Sequence, residues 1–299
     1  MAITTAKDDT LLTSEFMARL DQLDVMSRKI LAGKMKGERR SKRRGQSVEF
    51  ADYRNYVIGD DLRFIDWNIY ARLDRIFLKL FLEEEDLALY LIVDVTGSCN
   101  YGDPNKFRYI QRVAAALGYI GLVNYNRVVV NAIADGVVAD TGGMRGRTRV
   151  ARMIDFIEKL KPEGAGNLAE ACKRFALAHR QKGVCVILSD FFDKGGYESG
   201  LRYLAGGKYD LFAIQVLSPQ EIDPPLEGDL KLRDMEDGDL AEVSITQPLL
   251  KQYKANLNAY CLAVKDYVTR RGGTYLFSST AVPFDTLILN YLRERGLVG

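Results

Sequence analysis

Short apolar runs without polar alternation recur from residue 87 onward, and stretches with helical spacing of apolar residues separate them. The runs are residues 87–93 (LALYLIV), 127–134 (RVVVNAIA), 184–188 (VCVIL), 210–216 (DLFAIQV) and 274–278 (TYLFS). Apolar runs of this length predict strands that are covered on both faces. Strands that alternate with helices indicate an α/β fold, with a doubly wound and mostly parallel sheet. We expect Val93, Val130, Ile187 and Ile214 to lie in adjacent parallel strands of that sheet.

Changes in the pattern divide the chain into three regions. They are an N-terminal helix in residues 1–33, a basic loop with a small subdomain in residues 34–82, and the α/β domain in residues 83–299, with a β-hairpin inserted near residues 226–246. In the first region the apolar spacing predicts one amphipathic helix at about residues 10–32. In the hairpin, Asp237-Gly238 is typical of the turn.

The subdomain mixes aromatic and charged residues without a helical or alternating period. This pattern predicts irregular structure, apart from one strand at residues 75–81. Buried charges persist in proteins only when they are paired. We therefore expect Arg63 and Asp66 to be paired structural residues, and we expect Trp67 to be largely buried.

The composition supports a globular core and excludes several classes of protein. Apolar residues make up 47% and charged residues 27% of the 299 residues, and the formal net charge is only +2. No segment approaches the roughly 20 apolar residues of a membrane-spanning helix, and the first residues lack the apolar core of a signal peptide. The four cysteines are scattered, which is typical of ordinary thiols in a reducing compartment. We therefore expect a cytoplasmic protein.

A candidate metal site follows the first apolar run, where Asp94 is succeeded by Thr96 and Ser98. Open α/β sheets bind their ligands at the carboxyl ends of the strands. A carboxylate with hydroxyls two and four residues later offers three oxygen ligands that suit Mg²⁺. The same residue types also cap ordinary strand-to-helix turns, so a capping turn is the alternative interpretation.

A dense basic run, from Lys34 to Arg44, lies between the first helix and the subdomain. It is interpreted as a solvated loop, or as a patch that contacts phosphates or an acidic partner. Nucleic-acid binding through this run is one alternative function. No aromatic residue interleaves the charges, which argues against a surface for single strands.

The residues that follow the basic run resemble the signature of a bacterial family known as domain of unknown function 58, or DUF58. The matching residues are Glu49-Phe50, Arg54, Tyr56, Gly59-Asp60-Asp61, Arg63, Ile65-Asp66-Trp67 and Ala71-Arg72. The resemblance continues through residues 232–238 (LRDMEDG). It implies a von Willebrand factor A-like domain, and it implies a MoxR-type AAA+ ATPase as a frequent partner.

In von Willebrand factor A domains the metal-ion-dependent adhesion site begins Asp-x-Ser-x-Ser, and here Asp94, Thr96 and Ser98 resemble that motif. The resemblance implies Asp190 as a second carboxylate. A threonine that usually completes the site falls on Gly166, which has no hydroxyl. The resemblance therefore implies a degenerate Mg²⁺ site made of Asp94, Thr96, Ser98 and Asp190, which is weak or depends on a partner.

Besides nucleic-acid binding through the basic run, two classes of function are open. The first is a non-enzymatic adaptor that works with a MoxR-type ATPase, a client protein or both, in protein assembly or maturation. The second is a Mg²⁺-dependent phosphotransferase with Asp94 as nucleophile and with Asp190 and Asp193 holding the ion. No lysine is obviously placed to hold a phosphate, and residues 142–148 lack the Gly-Lys pair of a P-loop. We therefore favour the adaptor.

Overall fold

The computed structural model describes residues 10–26, 49–58, 60, 62, 65–82, 87–205, 209–233 and 240–299. The chain packs into two compact units. The larger unit consists of Met1–Glu38 and Leu87–Gly299, and the smaller unit is Arg39–Asp86.

A six-stranded sheet forms the centre of the larger unit. Its strands, in chain order, are β3 (Ala88–Asp94), β4 (Arg127–Ala134), β5 (Gly136–Asp140), β6 (Gly183–Ser189), β7 (Tyr209–Leu217) and β10 (Thr274–Ser279). In space the order is β10-β7-β6-β3-β4-β5, and only β5, at one edge, runs antiparallel to its neighbour. Every residue of β3, β6 and β7 is buried. The predicted doubly wound, mostly parallel sheet is confirmed.

The register of the sheet shows which residues of β3, β4, β6 and β7 lie side by side. Val93 lies opposite Leu188, and Leu188 lies opposite Ile214 on the other side of β6. Val130 lies opposite Leu91, so the predicted adjacency of the four strands is confirmed. The chain order reverses between β3 and β6, and the carboxyl ends of such a pair form the crevice in which open α/β sheets bind ligands.

Helices cover both faces of the sheet. They are α3 (Lys106–Val123), α4 (Val150–Lys159), α5 (Leu168–Ala178), α6 (Glu198–Ala205), the single turn α7 (Pro219–Ile222) and α8 (Gln247–Arg270). One apolar cluster joins α3 and α4 to the side chains of Leu89 and Leu91, and a second joins α5, α6 and α8 to Tyr90 and Ile92. Successive side chains of β3 therefore pack into the apolar clusters on opposite faces of the sheet, which explains why this strand is apolar without interruption.

The N-terminal helix α1 (Ser14–Leu20) is shorter than the predicted helix at about residues 10–32. After it the chain becomes extended, and Val25 forms an antiparallel bridge with Val298 near the carboxyl end. Val25 is completely buried in that position. Pairing with a distant segment thus overrides the local helical pattern. Residues 27–48, with the basic run, lie outside the described residues.

The smaller unit contains regular structure, so the prediction that it is irregular is wrong. Strand β1 (Glu49–Asn55) pairs antiparallel with β2 (Phe77–Leu82), and helix α2 (Trp67–Leu73) lies between them in the chain. The predicted strand at residues 75–81 is confirmed. Trp67 is 60% exposed, which contradicts its predicted burial. Its ring packs edge-to-face against Tyr70, one turn further along the same helix, and this contact leaves most of the Trp67 side chain exposed.

The predicted hairpin insertion is present as β8 (Gly228–Arg233) and β9 (Leu240–Ile245), which pair antiparallel. Its turn, with Asp237-Gly238, lies outside the described residues. The chain ends in a helical segment in which Phe284–Thr286 and Leu292–Glu294 flank a π-helical stretch. Among the described helices, none combines the length and the apolar character that crossing a membrane requires.

Candidate metal centre

Two carboxylates from adjacent strands meet at the crevice. Asp94 ends β3, and Asp190 follows the last residue of β6. One carboxylate oxygen of each, together with the sulfur of Cys99, lie within 4.8 Å of one another, and all three side chains are buried. The expected convergence of Asp94 and Asp190 is confirmed, and their separation is within the span of one bound cation.

The turn after β3 is organised around the carboxylate of Asp94. Its Oδ1 accepts hydrogen bonds from the backbone N–H of Thr96 at 3.0 Å and from the Thr96 hydroxyl at 2.8 Å. Its Oδ2 accepts a hydrogen bond from the hydroxyl of Ser189 at 2.5 Å. The hydroxyls of Thr96 and Ser98 are 3.0 Å apart. Asp94 therefore caps its own turn, and it also faces Asp190.

Asp190 is paired with a lysine that the sequence analysis did not identify. The ammonium of Lys106 donates to Asp190 Oδ2 at 2.6 Å and to Glu221 Oε1 at 2.7 Å. Lys106 opens α3 and is completely buried. A lysine in the first turn of a predicted helix is ordinarily solvated, so the sequence offered no reason to expect its burial. Its position just after the candidate turn was the one feature of the sequence that could have pointed to it. The sequence did not indicate a lysine near these two carboxylates, and the structure places Lys106 against Asp190.

Burial and mutual repulsion shape the electrostatics of the two carboxylates. Burial, followed by the negative charge of Asp190, raises the pKa of Asp94 to about 6, although hydrogen bonds from Ser189 and Thr96 act in the opposite direction. Burial lowers the pKa of Lys106, but the charge of Asp190 and its neighbours outweighs burial, so the pKa of Lys106 is raised. Lys106 is therefore a permanent ammonium, and Asp94 is the carboxylate whose charge is least compensated.

The loop before α5 explains why a hydroxyl is missing at the position of Gly166. A Cβ atom at Gly166 would lie 2.9 Å from Thr96 Cγ2 and 3.4 Å from Asp193 Oδ2. A threonine would need its neighbours to move. The next residue, Asn167, caps α5 by accepting from the backbone N–H of Glu170 at 3.0 Å, so it does not replace the missing ligand.

The cavity at this edge of the sheet is small. It has a volume of about 10 Å³, and its lining includes Asp94, Thr96, Gly166, Asp190 and Asp193. Such a volume holds about one water molecule or one ion. Asp193 accepts hydrogen bonds from the backbone N–H groups of Leu168 at 2.7 Å and of Gly195 at 2.6 Å, so it is occupied in holding loops.

The residues present fit a divalent cation, although weakly. Asp94 and Asp190 bring two carboxyl groups to the site, and Lys106, which pairs with Asp190 and with Glu221, brings one ammonium beside them. Each carboxylate offers roughly four lone-pair positions. In the described part of the chain, Asp94 uses three and Asp190 uses two of them for hydrogen bonds. The remaining carboxylate positions and the hydroxyls of Thr96 and Ser98 are hard oxygen ligands of the kind that Mg²⁺ and Mn²⁺ prefer.

Most of this chain is similar to known proteins. A family model described as "Protein of unknown function DUF58" matches residues 52–260. Uncharacterized proteins of Mycobacterium bovis and Mycobacterium tuberculosis are each 28% identical over 237 residues, which cover 78% of this chain and 74% of each relative. The crystal structure of the conserved hypothetical protein BatB from Bacteroides thetaiotaomicron aligns with 70% of this chain and 98% of its own, with 14% identity and a TM-score of 0.45. Because the family model covers most of the chain, this protein belongs to the DUF58 family, as its signature residues predict.

Proposed function

We propose that this protein is a non-enzymatic protein-interaction module that docks through the edge of the sheet around Asp94 and Asp190, with the help of a weakly bound Mg²⁺. The observation that carries the proposal is the convergence of two buried carboxylates on a cavity of about 10 Å³. A cavity of this size suits a single ion. The von Willebrand factor A-like fold is itself a protein-interaction kind of domain, which supports the same conclusion.

The ligands of the ion would be the predicted residues. The hydroxyls of Thr96 and Ser98 would bind it, and Asp94 and Asp190 would do so directly or through water. Ser98 is half-buried, so this side of the site is open to a partner. Mg²⁺ prefers six oxygen ligands. The four predicted residues leave at least two positions without a protein ligand, and the glycine at position 166 fills neither of them. A bound cation would thus offer an open coordination position to an acidic side chain of the partner.

The family resemblance supports a MoxR-type AAA+ ATPase, a client protein or both as the partner, in protein assembly or maturation. Reciprocity follows from the proposal. If Mg²⁺ strengthens the binding of the partner, the partner strengthens the binding of Mg²⁺ by the same factor, typically about 5- to 150-fold.

The test is calorimetric titration of this chain with a MoxR-type ATPase of the same genome, without nucleotide, in Mg²⁺ and then in chelator. We expect binding to be at least about fivefold tighter in Mg²⁺. Because the ATPase has a Mg²⁺ requirement of its own, the decisive comparison is the parent chain against Asp94→Ala in the same buffer.

The matched control is Asp155→Ala, which removes an exposed carboxylate paired with Lys159 on α4. We expect it to bind as the parent chain does. Equal binding in Mg²⁺ and in chelator, or equal binding by Asp94→Ala and the parent, would leave the docking proposal without support.

A further inference from the structure

The ammonium of Lys106 pairs with Asp190, which is the second carboxylate of the candidate metal site. It is completely buried and lies 2.6 Å from Asp190 Oδ2 and 2.7 Å from Glu221 Oε1. The other oxygen of Asp190 accepts the backbone N–H of Phe192 at 2.9 Å. Both oxygens of Asp190 are thus engaged before any ion arrives.

We propose that Lys106 is a resident cation that competes with a divalent metal for Asp190 and thereby keeps the metal affinity of this site low. The inference rests on the metal site of the proposed function, but it does not depend on a partner. Lys106 is a determinant of affinity here, and it is not itself a metal ligand.

The surroundings of Lys106 hold its ammonium in place. The backbone of Lys106 is fixed at the start of α3, where its N–H donates to the carbonyl of Tyr101 at 2.9 Å. The second carboxylate, that of Glu221, is fixed by a capping box in which its Oε2 accepts the backbone N–H of Ser218 at 2.7 Å and the Ser218 hydroxyl at 2.9 Å. The ammonium is therefore clamped between two carboxylates that are themselves held, so it does not swing away easily.

Electrostatic repulsion explains why the ammonium of Lys106 lowers the affinity of the site for a metal ion. A divalent ion that bound Asp94 and Asp190 together would share a carboxylate with the ammonium, in a buried place where like charges repel strongly. Removing the ammonium abolishes this repulsion and leaves Asp190 and Glu221 without a counter-charge. Both changes favour a metal ion over an empty site, because an unpaired buried charge is unfavourable.

The experiment measures Mn²⁺ binding to the full chain by electron paramagnetic resonance of the free ion, and thermal unfolding with MnCl₂ or chelator. Lys106→Met removes the charge and keeps an unbranched side chain. We expect it to bind Mn²⁺ at least about tenfold tighter than the parent chain. We also expect its melting temperature to be lower than that of the parent in chelator, and Mn²⁺ to raise it more than in the parent.

Lys106→Met alone could fail to fold because it leaves two buried carboxylates without a counter-charge, so a double variant is measured beside it. Lys106→Met with Glu221→Gln removes the ammonium together with one of its two carboxylates, so less charge is left unpaired, and the gain in Mn²⁺ affinity should persist. Adding Asp94→Asn to Lys106→Met should abolish the gain, since it removes the other carboxylate of the site.

Folded Lys106→Met and double variants that bind Mn²⁺ no tighter than the parent would overturn the inference. A gain that survives Asp94→Asn would also overturn it, because the ion would then be bound elsewhere. Failure of the docking proposal looks different. In that case the gain in Mn²⁺ affinity appears, but the ATPase binds equally well in Mg²⁺ and in chelator.

Discussion

The carboxylate of Asp94 is ionised in a place where its charge opposes folding, which makes the stability of the protein depend on pH. Burial and the charge of Asp190 raise the pKa of Asp94 to about 6 from an ordinary value of 3.8. The folded state therefore holds this proton more tightly than the unfolded state does. The resulting stabilisation is fully present below pH 3.8, and it is lost as the pH rises through about 6.

Asp94→Asn should remove this pH dependence. Its amide oxygen can accept the two hydrogen bonds from Thr96, and its amide N–H can donate to Ser189. Between about pH 4 and pH 7, we expect the free energy of unfolding of the parent to fall by up to roughly 3 kcal/mol relative to Asp94→Asn. Urea unfolding of both proteins across this range measures the difference, with exposed Asp266→Asn as the control. A difference that stays constant with pH would contradict the account.

Individual residues of the candidate site differ in how far the sequence could predict them. Asp94, Thr96 and Ser98 form a local motif. Asp190 was implied by the family resemblance, and its place after a later strand agrees with the way parallel strands bring their carboxyl ends to one edge of the sheet. Lys106 and Glu221 could not be predicted in this way. Lys106 is 84 residues from Asp190 in the chain, and Glu221 is 115 residues from Lys106. Only the folded structure reveals that the buried ammonium of Lys106 pairs with Asp190 and Glu221.

At the scale of elements, helix α2 depends on its N-cap. Asp66 Oδ1 accepts the backbone N–H groups of Asn68 at 2.9 Å and of Ile69 at 3.1 Å. Asp66→Ala leaves these donors without their side-chain acceptor and should cost about 0.5–2 kcal/mol of local stability. Asn caps helices nearly as well, so Asp66→Asn should stay close to the parent.

Hydrogen exchange followed by mass spectrometry over residues 66–74 measures this effect. We expect faster exchange in Asp66→Ala than in Asp66→Asn. Equal protection in the two variants would show that the cap does not hold the helix. Arg63, the other charged residue that was predicted to be paired, lies outside the described residues.

Elements were predicted well where burial makes the pattern continuous. Strands β3, β6 and β7 are covered on both faces, so almost every residue is apolar and the run is visible in the sequence. The β1–β2 pair and the end of α1 follow from contacts between segments that are distant in the chain. Val25, for example, pairs with Val298. A local period carries no information about such a partner, and the predicted helix was therefore too long.

At the scale of the whole molecule, the sheet order places the switch point between β3 and β6, and this position creates the site. The adjacency of the four central strands could be predicted from their alternation with helices. The sequence could not predict the separation of the two carboxylates or the size of the cavity, because both depend on how side chains pack around Lys106, Gly166 and Ser189.

The proposed function requires that Asp94 and Asp190 together hold one divalent cation, which is its central claim. The most direct measurement is anomalous diffraction from crystals of the full chain soaked in MnCl₂. We predict one anomalous peak between Asp94 and Asp190, within roughly 2.0–2.6 Å of the hydroxyl of Thr96 or Ser98, and no such peak in Asp94→Asn crystals. Mn²⁺ peaks elsewhere on the molecule with none between the two carboxylates would contradict the claim, and Asp94 would then only cap its turn.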